Sequence, residues 1–205
     1  MPGGRPRSFD PDTALDRALE VFWRHGYEGA SLADLTAAMG INKPSLYAAF
    51  GNKEDLFGKV LTRYLDGPGA YATAALNEPT VRAVIERLVH GAVELTTAED
   101  APRGCLCVKT VQACGPDAHT VRRDAIAVRK AGETALRRRL EQATDLPPNH
   151  TPAGMAALVH TISDGIAVQA AAGRSRAELQ QIGNSALRTL FADAIRDLNP
   201  EAAGR

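Results

Sequence analysis

The chain has no stretch of roughly eighteen uninterrupted apolar residues, so nothing in it reads as a membrane-spanning helix. Its opening, MPGGRPRSFDPD, carries charge but no apolar core, so a secretory signal is not expected and a cytoplasmic protein with no membrane partner is. Charge of one sign is lacking as well: 24 Lys and Arg offset 24 Asp and Glu, a net charge of zero. That balance argues against a protein that coats nucleic acid regardless of sequence, and any DNA affinity must come from local placement. Cysteine is scarce, and Cys105, Cys107 and Cys114 are expected to be thiols, because structural disulfides are rare in a reducing compartment. Aromatic residues are few and crowded forward, with only Phe191 beyond Tyr71, which implies two packing units. Strand alternation and hairpin dipeptides are missing, as are phosphate-binding glycine motifs and zinc-protease spacing. No His and Asn can be placed beside the cysteines as a nucleophile would need, so no enzyme, catalytic residue, cofactor or metal is expected.

What is present is helical period throughout a chain of 205 residues, 44% apolar, long enough for one sizeable core and a smaller one. Asp10 can cap a first helix with Pro11 in its first turn, Phe9 and Ala14 can staple its start, and Ala14, Leu15, Ala18, Leu19 and Phe22 form its apolar side up to a stop at Gly26. Ser31-x-x-Asp34 starts a short helix ending at Gly40. Asn42 caps another over Lys43 to about Ala49, and Asn52-x-x-Asp55 launches a longer one that Gly67-Pro68-Gly69 closes. Pro79 opens the next helix, and the apolar run Cys105 to Cys114 follows. A long polar helix spans about 117–144. The last two run from Pro152 to Gly173 and from Arg176 to Asp197, the second carrying Leu179, Ile182, Ala186, Leu190, Ala194 and Ile195. The expectation is an all-α fold of about nine helices.

The pair of short helices across Ser31 to Phe50, joined by a Gly turn, is the helix-turn-helix arrangement, whose second helix can enter a major groove. Helical proteins also use such pairs for packing alone. The side chains of the second helix favour groove work, since Lys43, Ser45 and Tyr47 are long or hydrogen-bonding groups on a helix too short to be there only for packing. Lys53, the helix N-terminus, and Arg5 and Arg7 of the leader offer positive charge or amide donors to phosphate.

The segment GYEGASLADLTAAMGINKPSLYAAFGNKEDLF closely resembles the DNA-binding signature of the tetracycline-repressor (TetR) family, specifically over about residues 8 to 65. The resemblance implies an all-α homodimer. Residues 1–52 would form the DNA-binding helix-turn-helix domain with its basic arm, and residues 53–205 the effector-binding and dimerisation domain. By position it implies that Ser31, Asn42, Lys43, Pro44, Ser45, Tyr47 and Lys53 face DNA, with Leu35, Ala38, Ile41, Leu46 and Phe50 as the small core. The chain departs from the pattern at Ala48-Ala49, where many relatives carry an aromatic and a histidine, which leaves fewer base-reading side chains. The implied function is a repressor on a palindromic double-stranded operator, released by a small-molecule effector. Its two recognition helices would fit grooves about 34 Å apart.

An effector pocket is expected near Leu61, Cys107, Val111, Ile126 and Met155, and a dimer interface through the last two helices. The cysteines carry an alternative, a thiol- or metal-responsive regulator. Against it, Cys107 and Cys114 would lie about 10.5 Å apart along a helix, too far for a disulfide, and with Val111 they form an apolar stripe. Arg137-Arg138-Arg139 reads as a solvated face rather than a second nucleic-acid surface, and His160 with Asp164 as a polar pocket wall or interface pair rather than a metal site.

Overall fold

The computed structural model describes residues 9–192. Arg5, Arg7, Ala194, Ile195 and Asp197 lie outside the described residues. Within them the chain is all-α, with ten helices rather than about nine: α1 (Pro11–Gly29), α2 (Leu32–Met39), α3 (Lys43–Phe50), α4 (Lys53–Asp66), α5 (Ala70–Ala75), α6 (Val81–Thr96), α7 (Leu106–Ala113), α8 (His119–Glu141), α9 (Pro152–Ala171) and α10 (Arg176–Leu190). A single 3-10 turn, Pro116–Ala118, precedes α8. The additional helix is α5, six residues with no side-chain cap, which follows the Gly67-Pro68-Gly69 break that reads in sequence as the end of a segment.

The caps behave as their spacing predicts. Reciprocal capping boxes start α2 (Ser31 with Asp34), α4 (Asn52 with Asp55) and α10 (Ser175 with Glu178). Asp10, Asn42 and Thr151 cap α1, α3 and α9. Two boundaries are corrected. Gly26 does not end the first helix but breaks it, adopting φ +73° while helical geometry resumes as far as Gly29. The cap before α6 is Thr80, whose hydroxyl accepts from the Ala83 amide, so that helix starts at Val81 rather than Pro79.

Two cores result. The first gathers Phe22, Trp23, Leu35, Leu46, Leu56, Phe57 and Tyr64 from α1 to α4, and it also receives Leu106 and Cys107 of α7. Several of the aromatic residues crowded into the first third of the chain pack here, edge to face in the pairs Phe22–Phe57, with ring centres 5.2 Å apart, and Trp23–Tyr64, at 5.0 Å. The second core joins α6, α8, α9 and α10 through Val84, Ile85, Val89, Leu136, Met155 and Leu187. Among these contacts the packing of α6 against α10 needs a small residue: a Cβ on Gly183 would sit 2.9 Å from Val89. Gly91 is buried with the Tyr71 ring laid against it, and a Cβ there would meet that ring at 2.2 Å.

Gly91→Ala should therefore destabilise the fold by about 1–3 kcal/mol, the ordinary cost of overpacking a filled interior. Urea unfolding monitored by circular dichroism should show the midpoint fall with the slope unchanged.

Candidate nucleic-acid interface

Asn42 begins the recognition helix by accepting the Ser45 amide on Oδ1 at 2.8 Å. This turns its first turn outward: Asn42, Lys43, Pro44, Tyr47 and Ala48 are exposed, and Ser45 is half-buried. Leu46 and Phe50 face inward and lock the helix onto Leu35 and Met39 of α2, while Ala38 and Ile41 are half-buried at the margin. Tyr47 is 44% exposed, and the Lys43 ammonium lies 5.9 Å from its ring centre. Ser31 is exposed at the start of α2, bound to the Asp34 carboxylate. The Ser31 hydroxyl and amide hold that carboxyl below its usual pKa.

Lys53 opens α4 with its ammonium 4.5 Å above the Tyr27 ring. Burial draws the Lys53 pKa down while Glu28 pulls it back up. Six of the seven residues expected to face DNA come from the starts of three successive helices, the ends where backbone amides and the positive end of the helix dipole meet an anion, and the seventh, Tyr47, lies past the first turn of α3. Ala48 is exposed beside Tyr47 and presents only a methyl group.

Behind this unit, α7 is pinned to α1. The Trp23 indole donates to the Gly104 carbonyl at 2.8 Å. The break at Gly26 leaves carbonyls of α1 without helical partners, and Lys109 Nζ donates to those of Trp23 at 2.7 Å and Arg24 at 3.3 Å. At the far end of α7 the Gly115 amide donates to Glu28 Oε1 at 2.6 Å. Nothing in the sequence marked Lys109 or Glu28, because their partners are more than eighty residues away.

The model describing bacterial regulatory proteins of the tetR family matches residues 14–60. Over 190 residues the chain is 35% identical to the HTH-type transcriptional repressor ComR of Escherichia coli (strain K12), covering 90% of each protein. The chain belongs to the TetR family. A second relative, the HTH-type transcriptional repressor BdcR of the same organism, is 33% identical over 136 residues, 65% of this chain and 66% of BdcR. The TetR-family regulator CifR, solved as a cysteine mutant complexed with 26-bp double-strand operator DNA, has 40% identity and a TM-score of 0.85, covering 90% of this chain and 98% of that one.

In this TetR-family chain the five residues expected to line an effector pocket do not meet in one cavity. Leu61 and Cys107 are buried in the first core, Met155 is buried in the second, and Val111 is half-buried. Ile126 lines an open surface groove with Cys114 and His119. A partly open cavity of about 130 Å³ lies instead between α5, α6, α8 and α9, lined by Tyr71, Leu88, Leu136, Val159, His160 and Ser163. Periodicity missed it because its walls come from four helices, and the α5 residues lay in a segment with no helical signal.

Next to that cavity, Arg129 makes a two-pronged ion pair with Asp164, one prong at 2.6 Å. The His160 imidazole thus lies on the cavity wall while the Asp164 carboxylate binds Arg129. Burial, and then the Arg129 charge, lower the His160 pKa. Arg139 is spent on the Leu76 and Glu78 carbonyls, and Arg137 pairs with Glu141. Among the described residues no group of three or more His, Cys, Asp or Glu side chains could hold a metal ion. No described helix is long and apolar enough to cross a membrane.

Asn42→Ala removes an N-cap worth about 1 kcal/mol and frays the recognition helix. DNA affinity should fall while the salt dependence stays the same, since no charge is lost. Lys53→Gln should instead flatten the slope of log affinity against log salt by about one. Titrations at several salt concentrations separate the two.

Proposed function

We propose that the chain is a dimeric repressor of transcription, with residues 1–52 reading a palindromic operator and residues 53–205 dimerising and binding an effector that releases DNA. The observation that carries the reading is the outward set Asn42, Lys43, Pro44 and Tyr47 on a helix whose opposite side is sealed into the first core, together with the relationship to repressors such as ComR. CifR, a regulator of the same family and fold, is solved on operator DNA.

The dimer surface is α9 with α10. Among the described residues four large apolar side chains are exposed; Tyr47 is on the recognition helix, and the other three, Leu158, Val168 and Ile182, are on these last two helices. Around them Gly154, Ala157, Thr161 and Gly165 make a solvent-facing strip of small side chains along α9, over which a second copy can approach closely. A two-fold pairing of such a strip is self-complementary and closes at two subunits.

The effector enters the cavity beside Tyr71. Its volume lies below the range of about 300–1,000 Å³ usual for drug-sized ligands, which fits a small, mainly apolar molecule with one group for the His160 imidazole or Ser163 hydroxyl. Such a ligand releases DNA only by binding the released conformation more tightly, since equal affinity for both would shift nothing.

Selection of bound fragments from the host genome, then titration of the best site at fixed salt, tests the repressor reading. A short palindrome bound by a dimer supports it, and equal affinity for scrambled DNA at moderate salt overturns it. Tyr47→Ala should weaken binding to all operators about equally, while Ser45→Ala should change the preference among them. Ile182→Glu should shift sedimentation from dimer to monomer and weaken operator binding with it.

A further inference from the structure

The three thiols have different surroundings. Cys105 sits half-buried at the cap position of α7, where its sulfur accepts a hydrogen bond from the Tyr64 hydroxyl at 3.3 Å. Cys107, two residues on in the first turn of α7, is buried. Cys114, at the other end of α7, lies near Glu28, Lys53 and Arg122. A structural cysteine in apolar surroundings has its thiol pKa raised and is inert. The Tyr64 hydroxyl on the sulfur, at the start of α7, produces the opposite result at Cys105.

We propose that Cys105 is a hydroperoxide-reactive thiol with Cys107 as its resolving partner, and that the disulfide between them releases the protein from DNA. The proposal rests on the regulator reading above and assigns its trigger to particular atoms.

The Cys107 side chain and the Tyr64 hydroxyl lower the Cys105 pKa against the opposing effect of burial, and the amides of Val108 and Cys107 at the start of α7 act in the same direction. The neighbouring Cys105 and burial raise the Cys107 pKa, and the Tyr64 hydroxyl bound to Cys105 Sγ marks Cys105 as the attacking thiol. Burial and the Glu28 carboxylate raise the pKa of Cys114. The other titratable groups acting on this sulfur pair are Tyr64 from α4, Tyr71 from α5, Lys109 within α7 and Arg129 from α8.

In the first step the Cys105 thiolate attacks the distal oxygen of the hydroperoxide, the O–O bond breaks, and the alkoxide or hydroxide takes a proton and leaves as alcohol or water. The product is Cys105 sulfenic acid. The Cys107 sulfur then attacks Cys105 Sγ, the S–S bond forms, and the sulfenic oxygen leaves as water with the Cys107 proton. The two thiols lose two electrons in total and the hydroperoxide gains them.

The position of the pair gives the reaction an output. Gly104, immediately before Cys105, holds the Trp23 indole through its carbonyl, and Lys109, one turn later, holds the free carbonyls of α1. A disulfide takes away the acceptor of the buried Tyr64 hydroxyl and draws the first turn of α7 together, directly at the seat of α1. An unsatisfied buried donor is a cost that movement of α7 relieves.

The test treats the reduced full-length protein with hydrogen peroxide and follows peptide masses and operator affinity in parallel. The expected result is loss of two hydrogens across the peptide holding Cys105 and Cys107, with affinity falling about tenfold, within the usual range of allosteric coupling. Reduction by dithiothreitol should restore it. Cys105→Ser should bind the operator and ignore peroxide, and Cys107→Ser should stop at a sulfenic acid that dimedone traps. Cys114→Ser should respond as the parent does. Tyr64→Phe, which keeps the buried ring, should slow oxidation several-fold. Oxidation confined to Cys114, a persisting response in Cys105→Ser, or complete Cys105–Cys107 oxidation with unchanged affinity would each overturn the proposal. If the reduced protein selects no operator at all, the regulator reading fails instead, and the mass readout still judges the thiol chemistry.

Discussion

The structure depends on the seat of α7 against the break in α1. A helix interrupted at Gly26 has carbonyls that its own amides no longer satisfy, and the ammonium of Lys109 supplies the missing donor to Trp23 and Arg24. The same tryptophan binds Gly104 through its indole and packs its ring on Tyr64. A single side chain thus ties together the helix that supports the DNA-facing unit, the helix that begins the body, and the segment that carries the thiols. Unmet buried polar groups are costly, so this joint has few alternative arrangements of similar energy. That property is what a switch between two discrete states requires.

The ion pair between Arg63 and Asp16, at 2.7 and 2.8 Å, also links α1 to α4, but both partners are well exposed. Exposed pairs of this type contribute little and weaken in salt. The apolar packing of Phe22, Phe57 and Tyr27 holds the head together, and Arg63 fixes the rotation of α4 rather than the stability of the unit.

Much of the head was legible in the sequence, because its information is local. Ser31 with Asp34, Asn42 with Ser45 and Asn52 with Asp55 each act over three residues, and each starts a helix where the spacing says it should. Leu35, Leu46 and Phe50, expected as core from their place in the family pattern, are buried. The body was less legible. Its helices could be found, but the cavity beside Tyr71 depends on how four of them cross, and α5 has no capping side chain to announce it. Leu158, Val168 and Ile182 fit the apolar period of their helices yet stand in solvent, because periodicity does not distinguish a face turned to the monomer core from one turned to another molecule. The Cys105 and Tyr64 contact spans 41 residues, and no spacing rule reaches that far.

This contrast between near and far contacts also sets an order of assembly. The caps of α2, α3 and α4 can form as soon as each short stretch of chain exists, since closing so small a loop is fast. The indole of Trp23 waits for a partner 81 positions later in the chain, and the exposed carbonyls of α1 wait for one 85 or 86 positions later. A growing chain therefore has its DNA-facing helices started well before the strut that sets their final angle is available, and that angle is fixed only after α7 has been made.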